Sequence, residues 1–227
     1  VLLREGDGYR PITDHPLARV DGVRFAAFAD VDGDGRTDAY LGRRGPNRLF
    51  LRSETGGWRD ATAASGTGDG NHDTTDARFV DADHDGDLDI LLANADGPAN
   101  LLNNDRDGGF TSIAEKIGLN TATDGVRVLS ADLDGTRDLD LLVIRETPPH
   151  LVLLNDRLWN YRVDDAAFDA IRRADLVLAT SGDLDGDGVM DLVTCDRSGT
   201  VHRWVRDDTG VFEATVLHSF DAPPSNL

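Results

Sequence analysis

An acidic nonapeptide returns four times at one fixed interval: DVDGDGRTD at 30–38, DADHDGDLD at 81–89, DLDGTRDLD at 132–140 and DLDGDGVMD at 183–191. The leading aspartates, Asp30, Asp81, Asp132 and Asp183, stand 51 residues apart. A constant period of that length marks a repeat fold, in which each unit is one supersecondary element and stacking of units supplies the core.

The loop chemistry is that of a hard cation. Carboxylates at positions 1, 3 and 5 of a tight loop point inward, and a fourth at position 9 returns after the turn to close an oxygen shell. Calcium takes ~6 to 8 oxygen ligands, and an EF-hand loop begins the same way, with a glycine at position 6 and a backbone carbonyl at position 7. The expected ligands are Asp30, Asp32, Asp34 and Asp38, then Asp81, Asp83, Asp85 and Asp89, then Asp183, Asp185, Asp187 and Asp191, with position 7 contributed by Arg36, Asp87 and Val189. The third loop departs: Thr136 and Arg137 replace the carboxylate and the glycine, leaving Asp132, Asp134 and Asp140, with Asp138 placed as a substitute and the Arg137 guanidinium as a rival occupant. Position 12, the closing glutamate of an EF-hand, is Leu41, Leu92, Val143 or Thr194, so that fold is excluded. Unneutralised carboxylates ~4 Å apart repel by up to several kcal/mol at an effective dielectric of ~20, a cost that turn geometry alone gives no reason to repeat.

Each period also carries four short apolar or alternating runs. In the first these are 25–28, 39–41, 48–51 and 57–62, the last holding Trp58. Runs of that length read as strands, and four per period match one blade of a β-propeller. The expected fold is therefore an all-β propeller of four-stranded blades with DxDxDGxxD calcium loops. Its divisions are a half blade at 1–20 and blades at 21–71, 72–122, 123–173 and 174–227. Four and a half blades leave free edges, which predicts that the chain is part of a larger ring of about seven blades. Two segments break the pattern, a polar loop at 66–76 and a stretch at 164–174 with helical character.

The net charge of −19 follows in large part from the loops, and 39% hydrophobic residues suffice for a core. With no basic patch, nucleic acid is excluded as a partner. No apolar stretch reaches the ~20 residues of a membrane span. The lone Cys195 lies in an apolar run and is expected to be buried. Calcium loops of low affinity suit compartments where free calcium is near millimolar, outside the cytoplasm.

The period, the loops and the intervening segments GPNRLFLRSETGGWRDATAASG and GPANLLNNDRDGGFTSIAEKIGL resemble FG-GAP/VCBS repeat proteins, and within them the bacterial ASPIC/UnbV (CRTAC-like) group. The resemblance implies a β-propeller, calcium in the blade loops and a secreted, periplasmic or cell-surface place. It implies no reaction, since such repeats occur in adhesins, in lectins and beside enzymes.

The six histidines are scattered without paired metal spacing, and no GxSxG elbow occurs. His72 with Asp73 and Asp76 is the nearest approach to an acid–base set, with structural use the expected reading. The expectation is a non-catalytic scaffold for a protein partner or larger assembly, with carbohydrate binding as the alternative. Sugar sites favour aromatic platforms, yet Trp58, Trp159 and Trp204 fall where blades pack together.

Overall fold

The computed structural model describes residues 1–163, 166–207 and 209–220. A two-stranded hairpin, β1 (Leu2–Glu5) and β2 (Gly8–Pro11), precedes four antiparallel four-stranded sheets. Blade I holds β3 (Val23–Ala29), β4 (Asp38–Arg43), β5 (Arg48–Arg52) and β6 (Trp58–Asp60). Blade II holds β7 (Thr74–Val80), β8 (Asp89–Asn94), β9 (Asn100–Asn104) and β10 (Phe110–Ser112). Blade III holds β11 (Gly125–Ala131), β12 (Asp140–Arg145), β13 (Leu151–Asn155) and β14 (Tyr161–Arg162). Blade IV holds β15 (Leu176–Gly182), β16 (Asp191–Asp196), β17 (Thr200–Arg206) and β18 (Phe212–Ser219). In every blade the strands pair in simple sequence order, and the acidic nonapeptide joins the first to the second.

The second strands show why the runs after the loops are wholly apolar. Successive residues of a strand point to opposite faces, and both faces here are covered by a neighbouring blade. Ile90 and Leu92 of β8 pack with Val31, Tyr40 and Leu49 of blade I, whereas Leu91 and Ala93 pack with Val128, Leu141 and Leu153 of blade III. In β12, Leu141 and Val143 face blade II, while Leu142 and Ile144 join Leu192, Trp204 and Phe212 of blade IV. The core is thus a set of layers between blades. The inner strands β3, β7, β11 and β15 lie next to one another in that order. Gly125 of β11 approaches Ala93 so closely that a Cβ there would sit 2.9 Å from the alanine side chain.

Sequence expectations meet local differences at the blade exits. The fourth strand of blade I ends at Asp60, because Asp60 Oδ1 accepts the Thr62 N–H at 2.9 Å and the helix formers that follow make a single turn, α1 (Thr62–Ser65). Gly66 closes it in the left-handed conformation at φ 77°, and Gly118 does the same for α2 (Ala114–Ile117). In the third unit the helical stretch is α3 (Asp169–Arg173), while Asp164 and Asp165 lie outside the described residues. The polar loop after α1 is anchored: Asp69 accepts hydrogen bonds from Asn94 and Asn100 at 2.8 and 2.6 Å. Cys195 is buried in β16. Trp204 is buried and Trp58 and Trp159 pack half-buried against core clusters.

The two ends of the stack differ from its interior. Position 2 of the nonapeptide is covered by the next blade in the first three loops, leaving Val31, Ala82 and Leu133 at 6, 1 and 3% exposure, but Leu184 is 50% exposed. At the opposite end the hydrophobic residues of β3 include exposed Val23 and Phe28.

His150 fixes the turn into β13. Its Nδ1 accepts the Arg145 N–H at 3.1 Å and its Nε2 lies 3.0 Å from the Ala174 carbonyl, an arrangement that needs the neutral ring. Burial holds its pKa below the ordinary imidazole value, reinforced by the Arg145 charge. Its contribution is therefore full above the unfolded value of ~6.5 and is lost as pH falls from there through the lowered folded value. In blade I the Asn47 Oδ1 accepts the equivalent Arg43 N–H at 3.1 Å. His150→Asn should therefore fold and lose less stability than the parent chain between pH 7.5 and 5.5, as thermal melts at the two pH values would report.

Candidate metal-binding loops

All four loops share one backbone path. Positions 4 and 6 are left-handed throughout: Gly33 and Gly35, His84 and Gly86, Gly135 and Arg137, Gly186 and Gly188, with φ from 61° to 93°. Glycine adopts this freely, and His84 and Arg137 adopt it at a cost of ~1–2 kcal/mol. The glycine at position 6 marks one turn in the sequence, and Gly33, Gly135 and Gly186 mark a second at position 4. The leading aspartate caps the turn. Asp30 accepts the N–H groups of Asp34 and Gly35 at 3.1 and 2.8 Å, and Asp183 those of Gly186 and Gly188 at 2.7 and 3.0 Å.

The ninth aspartate has a different task. Asp38 Oδ2 accepts the Val31 N–H at 3.0 Å and its Oδ1 the Arg52 N–H at 2.7 Å. Asp89 holds Ala82 and Asn104 in the same way, and Asp140 holds Leu133 and Asn155. Asp191 keeps the first of these bonds, to Leu184, and turns its other oxygen to the Arg203 guanidinium. Each ninth carboxylate thus ties its loop to the third strand of its own blade. A further tie runs between blades. The Asn104 amide donates to the Val31 carbonyl of blade I at 3.0 Å, the Asn155 amide to the Ala82 carbonyl of blade II at 3.1 Å, and the Arg206 guanidinium to the Asp134 carbonyl of blade III.

Carboxylate oxygens of like charge converge in every loop. The sets Asp30–Asp32–Asp38, Asp81–Asp83–Asp85, Asp132–Asp134–Asp140 and Asp183–Asp185–Asp187 each place one oxygen per residue within 4.8 Å of the others. Burial pushes Asp32 and Asp83 up, and the neighbouring Asp34 and Asp85 charges push in the same direction. Asp89 and Asp140 are pushed up to about 7, chiefly by burial. An all-oxygen set that resists ionisation on its own fits a hard divalent cation, which would offset the repulsion.

The arginines are placed otherwise than the sequence suggested. Arg137 does not enter the third loop: its backbone N–H bonds Asp132, and among the described residues its guanidinium has no partner. Asp138 does not join the converging set either, because Arg157 Nε holds it at 2.9 Å, as Arg106 Nε holds Asp87 at 2.8 Å. In the fourth loop Arg203 pairs with both Asp185 and Asp191, and its hydrogen bond holds Asp185 below the usual carboxylate range. Asp34 is paired with the Arg36 side chain at 2.5 Å. The third loop keeps three converging carboxylates despite Thr136, with Arg162 3.6 Å from Asp134, and the second and fourth loops likewise carry an arginine on a converging carboxylate, Arg106 on Asp85 at 3.3 Å and Arg203 on Asp185. His72, Asp73 and Asp76 take separate partners: His72 lies 3.7 Å from Asp96, Asp73 pairs with Arg24 at 2.5 Å, and Asp76 accepts the Val128 N–H at 3.1 Å.

The FG-GAP-like repeat model matches residues 30–92 and again 81–143, which together span half of the chain. No curated protein matches it. Among solved structures it is similar to an Agrocybe aegerita lectin, described for its specific recognition of non-reducing terminal N-acetylglucosamine, at 17% identity and a TM-score of 0.56. The match covers 89% of this chain and 54% of the lectin chain, so the protein spans about half the length of the structure it resembles. At that identity the likeness is one of fold.

Because the ninth aspartate serves the backbone, Asp140→Ala should destabilise the fold whether or not metal is present, by about 3 kcal/mol for two lost hydrogen bonds to a buried carboxylate. Urea unfolding in excess chelator would show it.

Proposed function

The chain belongs to the FG-GAP-like repeat family, and from that membership we propose a calcium-stabilised, extracytoplasmic β-propeller that acts as a non-catalytic binding scaffold. The observation that carries the reading is the convergence of three carboxylates in each of four loops, at positions 1, 3 and 9 in the first and third and at positions 1, 3 and 5 in the second and fourth, each loop hydrogen-bonded to the third strand of its own blade. Asp30, Asp32 and Asp38, Asp81, Asp83 and Asp85, and Asp132, Asp134 and Asp140 would hold calcium, which when bound supplies charge neutralisation. The second, third and fourth loops would load in competition with Arg106, Arg162 and Arg203, which pair with Asp85, Asp134 and Asp185. The Asn104 and Asn155 bridges connect that order to the packing of neighbouring blades.

The scaffold reading extends to a larger assembly. Exposed Leu184, at a position buried in the other three loops, supports a ring with further blades beyond blade IV. A native mass of the mature protein equal to 24.5 kDa, without association, would sink this part of the proposal. Carbohydrate binding remains a second reading, supported by the lectin with which the chain shares its fold. Its tryptophans give it no exposed platform, since all three pack against core clusters.

Thermal melts test the metal. Millimolar calcium should raise the melting temperature over excess chelator, each loaded loop contributing ~1.4 kcal/mol at ten times its Kd. Asp85→Ala should shrink the rise by the share of one loop. Identical melts with calcium and chelator would refute the metal reading.

A further inference from the structure

Successive loops face each other across a cleft that recurs at the blade interfaces. Between blades I and II it is bounded by Asp32, Gly33, Gly86, Asp87 and Arg106 and encloses about 220 Å³. Between blades II and III the equivalent positions are Asp83, His84, Arg137, Asp138 and Arg157, and the cleft encloses about 510 Å³. The frame is the same in both, since Arg106 pairs with Asp87 as Arg157 pairs with Asp138. The difference lies at the glycines. Gly33 and Gly86 have become His84 and Arg137, and both retain the left-handed backbone, at φ 61° and 72°. The adjoining turn departs likewise: where blades I, II and IV place Gly56, Gly108 and Gly210 at positive φ, blade III places Trp159 at 62°, after Leu158 at 53°, whereas the positive φ of Arg157, 71°, is shared by Arg106 at 63°. Left-handed backbone favours glycine at every one of these sites. Two of the side chains that replace it, His84 and Arg137, line this one cleft, while Trp159 packs against the core beside it, and residues held in such conformations concentrate where they serve function.

The lining defines the chemistry. Asp138 is buried and already neutralised by Arg157, with His84 Nε2 3.3 Å from its Oδ1. The Arg137 guanidinium is exposed and, among the described residues, without an ion pair. Leu158, at the rim, is 87% exposed and offers an apolar surface. Relative to its sibling the cleft has gained a cation, an imidazole, an apolar contact and room for one small molecule. A planar guanidinium with free donors binds a carboxylate bidentately.

We propose that the cleft between the second and third loops binds a small ligand carrying a carboxylate, of the size of one sugar acid, with Arg137 as the anion-binding group and His84 and Leu158 as flanking contacts. The proposal rests on the scaffold reading and leaves the metal reading aside. Calorimetric titrations in millimolar calcium, with glucuronate as probe and glucose as the same ring without the carboxylate, test it. Glucuronate should bind at least about tenfold more tightly than glucose, the factor for one added charge-assisted hydrogen bond. Arg137→Gly restores the glycine that the other three loops carry at position 6, so it should melt no lower than the parent chain while losing that preference. His84→Gly should weaken glucuronate binding in the same background. Absence of glucuronate binding to the parent chain, or a preference that survives in Arg137→Gly, would overturn the proposal. The calcium melts report separately whether the loops load, so a failure of ligand binding is not confused with a failure of metal binding.

Discussion

The hydrogen bonds of the ninth aspartate are the interaction on which the rest of the molecule depends. One buried carboxylate takes an N–H from its own loop and another from the third strand of its blade, and it does so at Asp38, Asp89 and Asp140 alike. Removing two backbone donors from water is tolerable only with such an acceptor in place. The acceptor itself is costly to ionise in that position, which is why Asp89 and Asp140 are held up to about 7. The loop therefore has its shape from hydrogen bonding, and the convergence of the carboxylates, the ninth included at Asp38 and Asp140, is a consequence of that shape.

Much of this was legible in the sequence because two periods coincide in it. The 51-residue period locates the loops, and the runs of four or five apolar residues after them announce strands buried on both faces, as β8 and β12 prove to be. What the sequence left open concerns side chains whose partners lie far along the chain. The destinations of Arg106, Arg157 and Arg203 depend on turns that bring the third strand back over the loop, and no local pattern encodes them. The expectation that Arg137 could fill the third loop failed for a similar reason: the left-handed backbone at that residue carries the side chain out of the loop and into the cleft. The single helical turns α1 and α2 are too short for periodicity to reveal, although the left-handed glycines that end them were visible as glycines.

Repetition also makes departures informative. Four near-copies of one loop serve as internal controls, so that a histidine at one glycine position and an arginine at another stand out without any comparison to other proteins. The same logic applies to burial. A residue covered in three copies and open in the fourth, as Leu184 is, marks an end surface of the stack, independent of how hydrophobic that surface is overall.

The contacts between blades also have a direction. Asn104, Asn155 and Arg206 each give an N–H to the blade before, and the loop carbonyls of Val31, Ala82 and Asp134 receive it. Every blade therefore has a donor side and an acceptor side, like a tongue and a groove. Blade I ends the stack with its tongue side, where Arg52 holds the place of those donors and now lies over the Trp58 ring. Blade IV ends it with its groove side, beside Leu184. A further blade added at either end would meet these groups head-to-tail, whereas a face-to-face pairing of like ends would leave its polar groups unmatched.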